Sequence, residues 1–124
     1  MKKLSVVIPV YYNEESLPVL FAELLETEKK LQNKNVELEL IFVDDGSGDN
    51  SLHELLKIKQ QHRNTKVIKL TRNFGVAHAS KAGIQFVTGD CFLILAADLQ
   101  DSPSLIIEMV DRWLNGTKFV VCTR

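Results

Sequence analysis

Apolar and polar positions alternate along the chain with two different periods. Segments rich in apolar residues at 4–10, 37–43 and 66–70, and a fourth that begins at Cys91 and stops at Ala97, are typical of buried strands. The second begins in alternation and becomes a continuous apolar run only at 40–43. The segments between them carry apolar residues at helical spacing with charged residues opposite, which predicts three helices, at 17–31, 50–62 and 76–87. This alternation of strand and helix predicts an α/β fold: a Rossmann-like, mostly parallel sheet with helices on both faces and right-handed crossovers.

Residues at the element ends extend this prediction. Asn13 is the expected N-cap of the first helix, and Ser102 followed by Pro103 predicts the start of a fourth helix. That helix is expected to end at 115–116, and a fifth strand is expected at 118–122.

Composition narrows the class of protein. The chain has 124 residues, a formal net charge of −1 and 25% charged residues, so it has no overall attraction to nucleic acid, and we expect no nucleic-acid partner. No apolar run approaches the ~20 residues that span a bilayer. Cys91 and Cys122 lie in apolar runs and are expected to be reduced, buried thiols of a cytoplasmic protein.

Polar residues collect in the turns that follow strands. The carboxyl ends of parallel strands share one edge of a sheet, where ligands bind. The chain therefore predicts a polar, mostly acidic site at that edge. Its candidate residues are Tyr11, Tyr12, Asn13, Glu14, Glu15, Asp44, Asp45, Ser47, Arg72, Asn73, Asp98, Gln100 and Asp101.

Clustered carboxylates repel one another unless a cation or a hydrogen-bonding ligand lies among them. Mg²⁺ or Mn²⁺ bound by Asp98 would take one or two carboxylates and face a diphosphate with its remaining positions. Arg72 would add a charge-assisted contact to the same phosphates. Tyr11 offers a flat face on which a base can stack, and Asp45 can accept a hydrogen bond from a base N–H.

The same residues have structural interpretations that remain open. Glu14 can simply favour the positive end of the first helix. Asp44 and Asp45 can belong to an ordinary turn, and Arg72 can be a surface residue. Asp101 is interpreted as an acid that supports a helix start, in contrast to Asp98.

Three familiar site types are missing from the sequence. No Gly-x-Gly-x-x-Gly follows the first strand, and no Gly-Lys-Ser/Thr phosphate loop is present. No Gly-x-Ser-x-Gly elbow of a hydrolase occurs either. His53, His62 and His78 lie on predicted helices without metal spacing and are interpreted as ordinary surface residues.

Four segments resemble family 2 glycosyltransferases, which have the GT-A nucleotide-sugar fold. Residues 6–15 (VVIPVYYNEE) are similar to the family's opening, and 43–49 (VDDGSGD) to its second signature. Residues 72–75 (RNFG) and 97–103 (ADLQDSP) are similar to the polyprenyl-phosphate branch, such as dolichol-phosphate mannose synthase. All four occur in the family's order and spacing.

The resemblance implies a role for each matching residue. Tyr11 would stack near the nucleobase, Asp45 would bind the imide edge of the base, and Glu14 would lie near the base or ribose. Asp98 would bind Mg²⁺ or Mn²⁺ between the two phosphates, with Gln100 as a further ligand. The implied nucleotide-sugar-binding residues are Pro9, Tyr11, Glu14, Asp44, Asp45 and Arg72.

The chain departs from the family at one metal-site position. The usual Asp-x-Asp reads Ala96-Ala97-Asp98, so the first acid is missing and Asp98 is left as the main ligand. We expect residues 1–124 to form a single nucleotide-sugar-binding domain, the N-terminal half of a GT-A fold. The acceptor half, with any catalytic base and membrane-binding segment, is expected beyond Arg124.

The predicted function is hexosyl transfer from a nucleotide-sugar, with UDP favoured over GDP, to polyprenyl phosphate or a cell-envelope glycan. A non-catalytic nucleotide-binding or regulatory module of the same fold is the alternative. A phosphoacceptor receiver domain is disfavoured, because Thr71 and Arg72 follow the third strand where that class needs an Asp. An exposed sheet edge would permit a homodimer.

Overall fold

The computed structural model describes residues 2–98 and 104–115. Strands and helices alternate strictly, as the hydrophobic pattern predicts. The elements are β1 (Lys2–Val10), α1 (Leu17–Gln32), β2 (Val36–Asp44), α2 (Ser51–Gln61), β3 (Thr65–Lys69), α3 (Val76–Ile84), β4 (Cys91–Ile94) and α4 (Ser104–Leu114).

The four strands form one sheet in the order β3-β2-β1-β4, and every pair is parallel. Val6 of β1 lies opposite Leu40 of β2 and Leu93 of β4. The chain moves outward from β1 to β3 and then crosses back to place β4 on the other side of β1. This reversal creates a switch point at the carboxyl edge between β1 and β4, where open α/β sheets bind ligands.

One face of the sheet carries the main core. Leu4, Val6 and Ile8 of β1 are buried there with Leu38 and Phe42 of β2. Helices α1, α2 and α4 cover this face with the apolar stripes that their spacing predicts. Burial of such side chains stabilises the fold by roughly 1.5–3 kcal/mol each.

The opposite face is covered by α3, which packs closely because its inward residues are small. A Cβ at Gly83 would lie 2.5 Å from Val7 Cγ1 and 3.0 Å from Val43 Cγ2. Ala79 and Ser80 share the buried side of the helix. Helices therefore lie on both faces, and the predicted fold class is confirmed.

Some local predictions are wrong. Helix α3 ends at Ile84, before the predicted 87, because the chain continues as tight turns. The first helix has Ser16 as its N-cap, while the carboxamide Oδ1 of Asn13 accepts from the Tyr11 N–H at 2.8 Å. Asn13 instead contributes its carbonyl, which accepts from the N–H groups of Ser16 and Leu17.

His62 is not the surface residue that its position suggests. Its side chain is 8% exposed and lies between the carboxylate of Glu28 and the hydroxyl of Thr65. Nε2 is 2.7 Å from Glu28 Oε2, and Nδ1 is 2.8 Å from Thr65 Oγ1. Glu28 belongs to α1, so the pairing depends on how α1 packs beside α2.

Several expectations lie outside the described residues. They are the fifth strand at 118–122, Gln100, Asp101, the helix-start residues Ser102 and Pro103, Gly116, and Cys122. Cys91 is a free, half-buried thiol. Burial, with a smaller contribution from the Asp90 carboxylate, raises the pKa of the Cys91 thiol.

A buried carboxylate joins the amino-terminal part of the sheet to the turn after α3. The side chain of Glu39 is 2% exposed and accepts from Ser5 Oγ at 2.6 Å and Thr88 Oγ1 at 2.9 Å. The Thr88 N–H donates to it at 3.1 Å, and Lys66 Nζ lies 3.1 Å away. Burial alone raises the pKa of Glu39, but these hydrogen bonds outweigh it and lower the pKa from 4.5 to about 2.

Glu39→Gln should remove a pH-dependent part of the stability. Folding lowers the pKa of Glu39, so its ionised carboxylate stabilises the folded state. This contribution to the free energy of unfolding is present above pH 4.5 and is lost as the pH falls towards 2. The stability advantage of the wild type over Glu39→Gln should therefore shrink by about 2 kcal/mol between pH 6 and pH 3. Urea unfolding at a series of pH values measures this difference.

Glu37→Gln is the matched control on the same strand, because the Glu37 side chain is 46% exposed. Its stability relative to the wild type should change little over the same pH range. A difference in unfolding free energy between the wild type and Glu39→Gln that does not change with pH would contradict the prediction.

Candidate functional site

Two adjoining cavities open at the carboxyl edge of the sheet. The first has a volume of about 290 Å³ and lies between the ends of β1 and β4 and the start of α3. The second, about 400 Å³, lies over the loop that joins β1 to α1. Asp98 lines both cavities and stands where they meet. The first is lined by Pro9, Val10, Tyr11, Asn13, Asp45, Val76, Ile94, Ala96, Ala97 and Asp98.

Three of the residues predicted to bind the nucleoside, Pro9, Tyr11 and Asp45, line the first cavity, whereas Glu14 lines the second. Pro9 is half-buried at the end of β1, and Tyr11 is 47% exposed directly after it. The Tyr11 ring meets the Tyr12 ring edge-on, with the centroids 4.7 Å apart. Asp45 and Val76 complete this wall. The first cavity is therefore lined by an aromatic ring, by apolar side chains and by one carboxylate.

The second cavity is acidic. Glu14, Glu15, Asp49 and Asp98 line it with Ser16. Burial raises the pKa of Asp49, but hydrogen bonds from the hydroxyl and N–H of Ser51 and from the N–H of Glu14 outweigh this effect and hold the pKa below its usual range. Asp49 is therefore a carboxylate at neutral pH, and the cavity favours positive charge.

The loop after β1 is held by side chains from the turn after β2. The Tyr12 N–H donates to Ser47 Oγ at 3.0 Å, and the Asn13 N–H donates to Ser51 Oγ at 2.9 Å. Tyr12 has a φ of 54°, a conformation that a non-glycine residue adopts only under local constraint. The hydrogen bonds that Ser47 and Ser51 accept from this loop provide that constraint.

The end of β4 is tied to the start of α1. Ser16 Oγ donates to the carbonyl of Ala97 at 2.7 Å. Because Ala97 immediately precedes Asp98, this contact fixes the backbone that carries the candidate metal ligand. Sequence reasoning missed Ser16, Ser51 and Asp49 as site residues. The available signal was that short polar side chains in loops commonly bond to neighbouring backbone.

The two adjacent aspartates after β2 have different positions. Asp44 is 1% exposed, accepts from the Ser47 N–H at 3.3 Å and lines neither cavity. Asp45 is 2% exposed and does line the first cavity. Its two carboxylate oxygens accept from the N–H groups of Phe74 at 2.8 Å and Gly75 at 3.0 Å.

Arg72 lies beside the cavities but lines neither of them. Its guanidinium group is 4.7 Å from the centroid of the Phe74 ring, and that ring stacks in turn on His78 at 6.1 Å. All three side chains are exposed. The structure therefore places Arg72 in an exposed stack of side chains outside the linings of the two cavities.

The described residues do not form a metal cage of their own. Within 2–98 and 104–115, no group of three or more His, Cys, Asp or Glu side chains is placed to hold an ion. Gln100 lies outside these ranges. Mg²⁺ typically binds one or two carboxylates and completes its shell with water and phosphate oxygens. Asp98, which lines both cavities, is one carboxylate of the kind that such a shell uses.

The fold and the site together define an open parallel α/β ligand-binding domain with an acidic switch-point cleft. Residues 5–124 match glycosyl transferase family 2. The chain therefore belongs to this family.

Similar proteins agree with this assignment. An uncharacterized glycosyltransferase of Synechocystis sp. is 43% identical over 122 residues, which cover 98% of this chain and 37% of that relative. The chain thus spans little more than a third of the curated relative it matches.

Solved structures show the same fold. The mannosyltransferase PcManGT of Pyrobaculum calidifontis, in complex with GDP-Man and Mn²⁺, is 23% identical, with a TM-score of 0.71 over 91% of this chain and 32% of that one. Residues 1–349 of S. aureus TarS in complex with UDP are 22% identical, with a TM-score of 0.61 over 89% of this chain and 32% of that one. In the described part of this chain, no helix is long and apolar enough to cross a membrane.

Ser51→Ala should loosen the loop after β1. Ser51 is fully buried, and its removal leaves the N–H of Asn13 without its acceptor. The free energy of unfolding should fall by about 1–3 kcal/mol, and amide hydrogen exchange at Asn13 should accelerate. Thr71→Ala, at an exposed position in the loop after β3, is the control and should change neither quantity appreciably. Unchanged exchange at Asn13 in Ser51→Ala would refute this role of the hydroxyl.

Proposed function

We propose that this chain is the donor-binding part of a metal-dependent glycosyltransferase that uses a nucleoside-diphosphate sugar. The observation that carries the proposal is the pair of cavities that meet at Asp98. One cavity offers a flat, partly apolar wall, and the other is acidic. A nucleoside diphosphate has this same division, with an aromatic base at one end and phosphates that bind a cation at the other.

The nucleoside would occupy the first cavity. Pro9 and Tyr11 provide the surface on which the base stacks. An ionised carboxylate has about four lone-pair sites, and backbone bonds from 74 and 75 use two of those on Asp45. We favour UDP over GDP, and the ring N–H of uracil is the group that the remaining acceptor capacity of Asp45 would receive. Glu14 lines the second cavity and not the first, so it would lie near the base or ribose from that side.

The diphosphate would lie where the two cavities join. Asp98 would hold Mg²⁺ or Mn²⁺, whose positive charge stabilises the diphosphate as it leaves the sugar. Gln100 is a proposed second ligand. Arg72 would contribute positive charge for the phosphates from outside the two cavity linings. Asp44 would stabilise the turn after β2 and would not contact the ligand directly. The solved complexes of TarS with UDP and of PcManGT with GDP-Man and Mn²⁺ support a donor of this class.

The proposed acceptor is a polyprenyl phosphate or a cell-envelope glycan, and the transferred group is a hexose. A phosphate acceptor is already an anion and needs little general-base help, whereas a sugar hydroxyl needs a base. We place the domain in the cytoplasm, with the whole protein at the inner face of the membrane. The free edge of β4, at one end of the described sheet, would allow a second copy to pair there.

A non-catalytic nucleotide-binding module is the second candidate. The observation that favours it is Ala96, which stands where the family usually has the first acid of its metal motif. Such a module would bind the nucleotide through the first cavity without needing a cation.

Calorimetric titration with UDP distinguishes the two functions. For the transferase, Mn²⁺ should tighten UDP binding by about tenfold or more, since a cation held by Asp98 would offset the negative charge of the phosphates. Asp98→Ala should abolish this metal dependence and leave the fold intact, because residue 98 is exposed. Glu108→Ala removes another exposed carboxylate, on α4, and should behave like the wild type. Metal-independent binding would favour the module, and failure to bind UDP or GDP would refute the donor site.

Residues 1–124 alone should catalyse no detectable sugar transfer. The described site provides groups for the donor, and the matched relative is much longer than this chain. Incubation with labelled UDP-sugar, Mn²⁺ and polyprenyl phosphate measures transfer directly. Formation of a glycosylated lipid by this chain would contradict the expectation.

A further inference from the structure

We infer that Asp45 is a positioning residue that fixes the turn at 72–75 and thereby shapes the first cavity. The inference rests on the proposed function in one respect, that this cavity receives the base of the donor. The role differs from direct contact with the base. Here Asp45 places the chain segment that leads to Val76, which lines the first cavity.

The carboxylate of Asp45 binds two consecutive backbone N–H groups at the entry to α3. Its Oδ1 is 2.8 Å from the nitrogen of Phe74, and its Oδ2 is 3.0 Å from the nitrogen of Gly75. Asp45 is 2% exposed, so its hydrogen-bond partners must come mainly from the protein. A buried carboxylate without such partners would be strongly unfavourable.

The backbone of Gly46 provides a second, independent sign of this contact between turns. Gly46 has a φ of 74°, and a Cβ there would lie 2.4 Å from the carbonyl carbon of Arg72 and 2.5 Å from the nitrogen of Asn73. The turn after β2 therefore touches the turn after β3 along its backbone. Any other residue at 46 would push the two turns apart.

Hydrophobic burial does little to hold this part of the chain. Phe74 is 42% exposed, and Val76, the first residue of α3, is 61% exposed. Val76 nevertheless lines the first cavity together with Pro9 and Val10 at the end of β1. The hydrogen bonds that Asp45 accepts from Phe74 and Gly75 therefore position this part of the cavity lining.

Amide hydrogen exchange of the nucleotide-free chain tests the positioning role directly. In the wild type, the amides of Phe74 and Gly75 should be protected although their surroundings are exposed. Asp45→Asn keeps the size of the side chain but sets an NH₂ group against one of the two N–H groups. Protection at 74 and 75 should then fall by about tenfold or more, while amides in β1 and β2 remain protected.

Asp90→Asn is the matched control. Asp90 also accepts a backbone N–H, from Lys3 at 2.8 Å, next to the amino-terminal start of β4. Its substitution should accelerate exchange at Lys3 and leave Phe74, Gly75 and UDP binding unchanged.

Gly46→Ala separates positioning from direct contact with the ligand. It leaves the Asp45 carboxylate in place but displaces the turn, so UDP binding should weaken by about tenfold and exchange at Phe74 and Gly75 should accelerate. Unchanged UDP affinity in a folded Gly46→Ala protein would overturn the inference that the turn shapes the cavity.

Fast exchange of both amides in the wild type, or unchanged protection in Asp45→Asn, would overturn the positioning role itself. If Asp45→Asn does not fold, amide exchange in the wild type and the measurements on Gly46→Ala still test the positioning role. Because exchange is measured without nucleotide, a failure of UDP to bind the wild type would refute the proposed function and leave this test of Asp45 standing.

Discussion

The site depends on hydrogen bonds that the backbones of two neighbouring loops donate to side chains in the turn after β2 and at the start of α2. Ser47 and Ser51 accept from the loop after β1, and Asp45 accepts from the turn before α3. Loops at the end of a parallel sheet leave backbone N–H groups without ladder partners, and these groups must be satisfied elsewhere. Here one polar segment satisfies them on both sides, so the neighbouring loops are held in fixed relation to each other.

The carboxylates at this edge of the sheet differ in burial and in their hydrogen bonds. Asp44, Asp45 and Asp49 are all bonded to backbone N–H groups, while Asp98 and Glu15 are exposed at the cavities. A hydrogen-bonded carboxylate stays ionised and in place at neutral pH. The acidic character of the edge is thus partly a consequence of how the loops are held, and it also provides the charge that a cation would meet.

A second polar cluster stabilises the opposite side of the fold. Glu39 links β1, β2 and the turn after α3 through Ser5 and Thr88. It occupies a strand position that periodicity alone marks as a simple outward-facing residue. The small residues of α3, with Gly83 against Val7, bring the helix close enough for the turn at Thr88 to reach this carboxylate.

The amino-acid sequence alone determined the alternation of strands and helices, the parallel sheet, and the edge at which polar residues collect. These follow from local periodicity and from the rule that parallel strands end on one side. Tertiary structure alone decided the partners: His62 is buried against Glu28, Arg72 stacks on Phe74, and Asp45 bonds to residues 29 and 30 positions away. Such contacts depend on the distance and orientation of separate elements, and no local spacing records them.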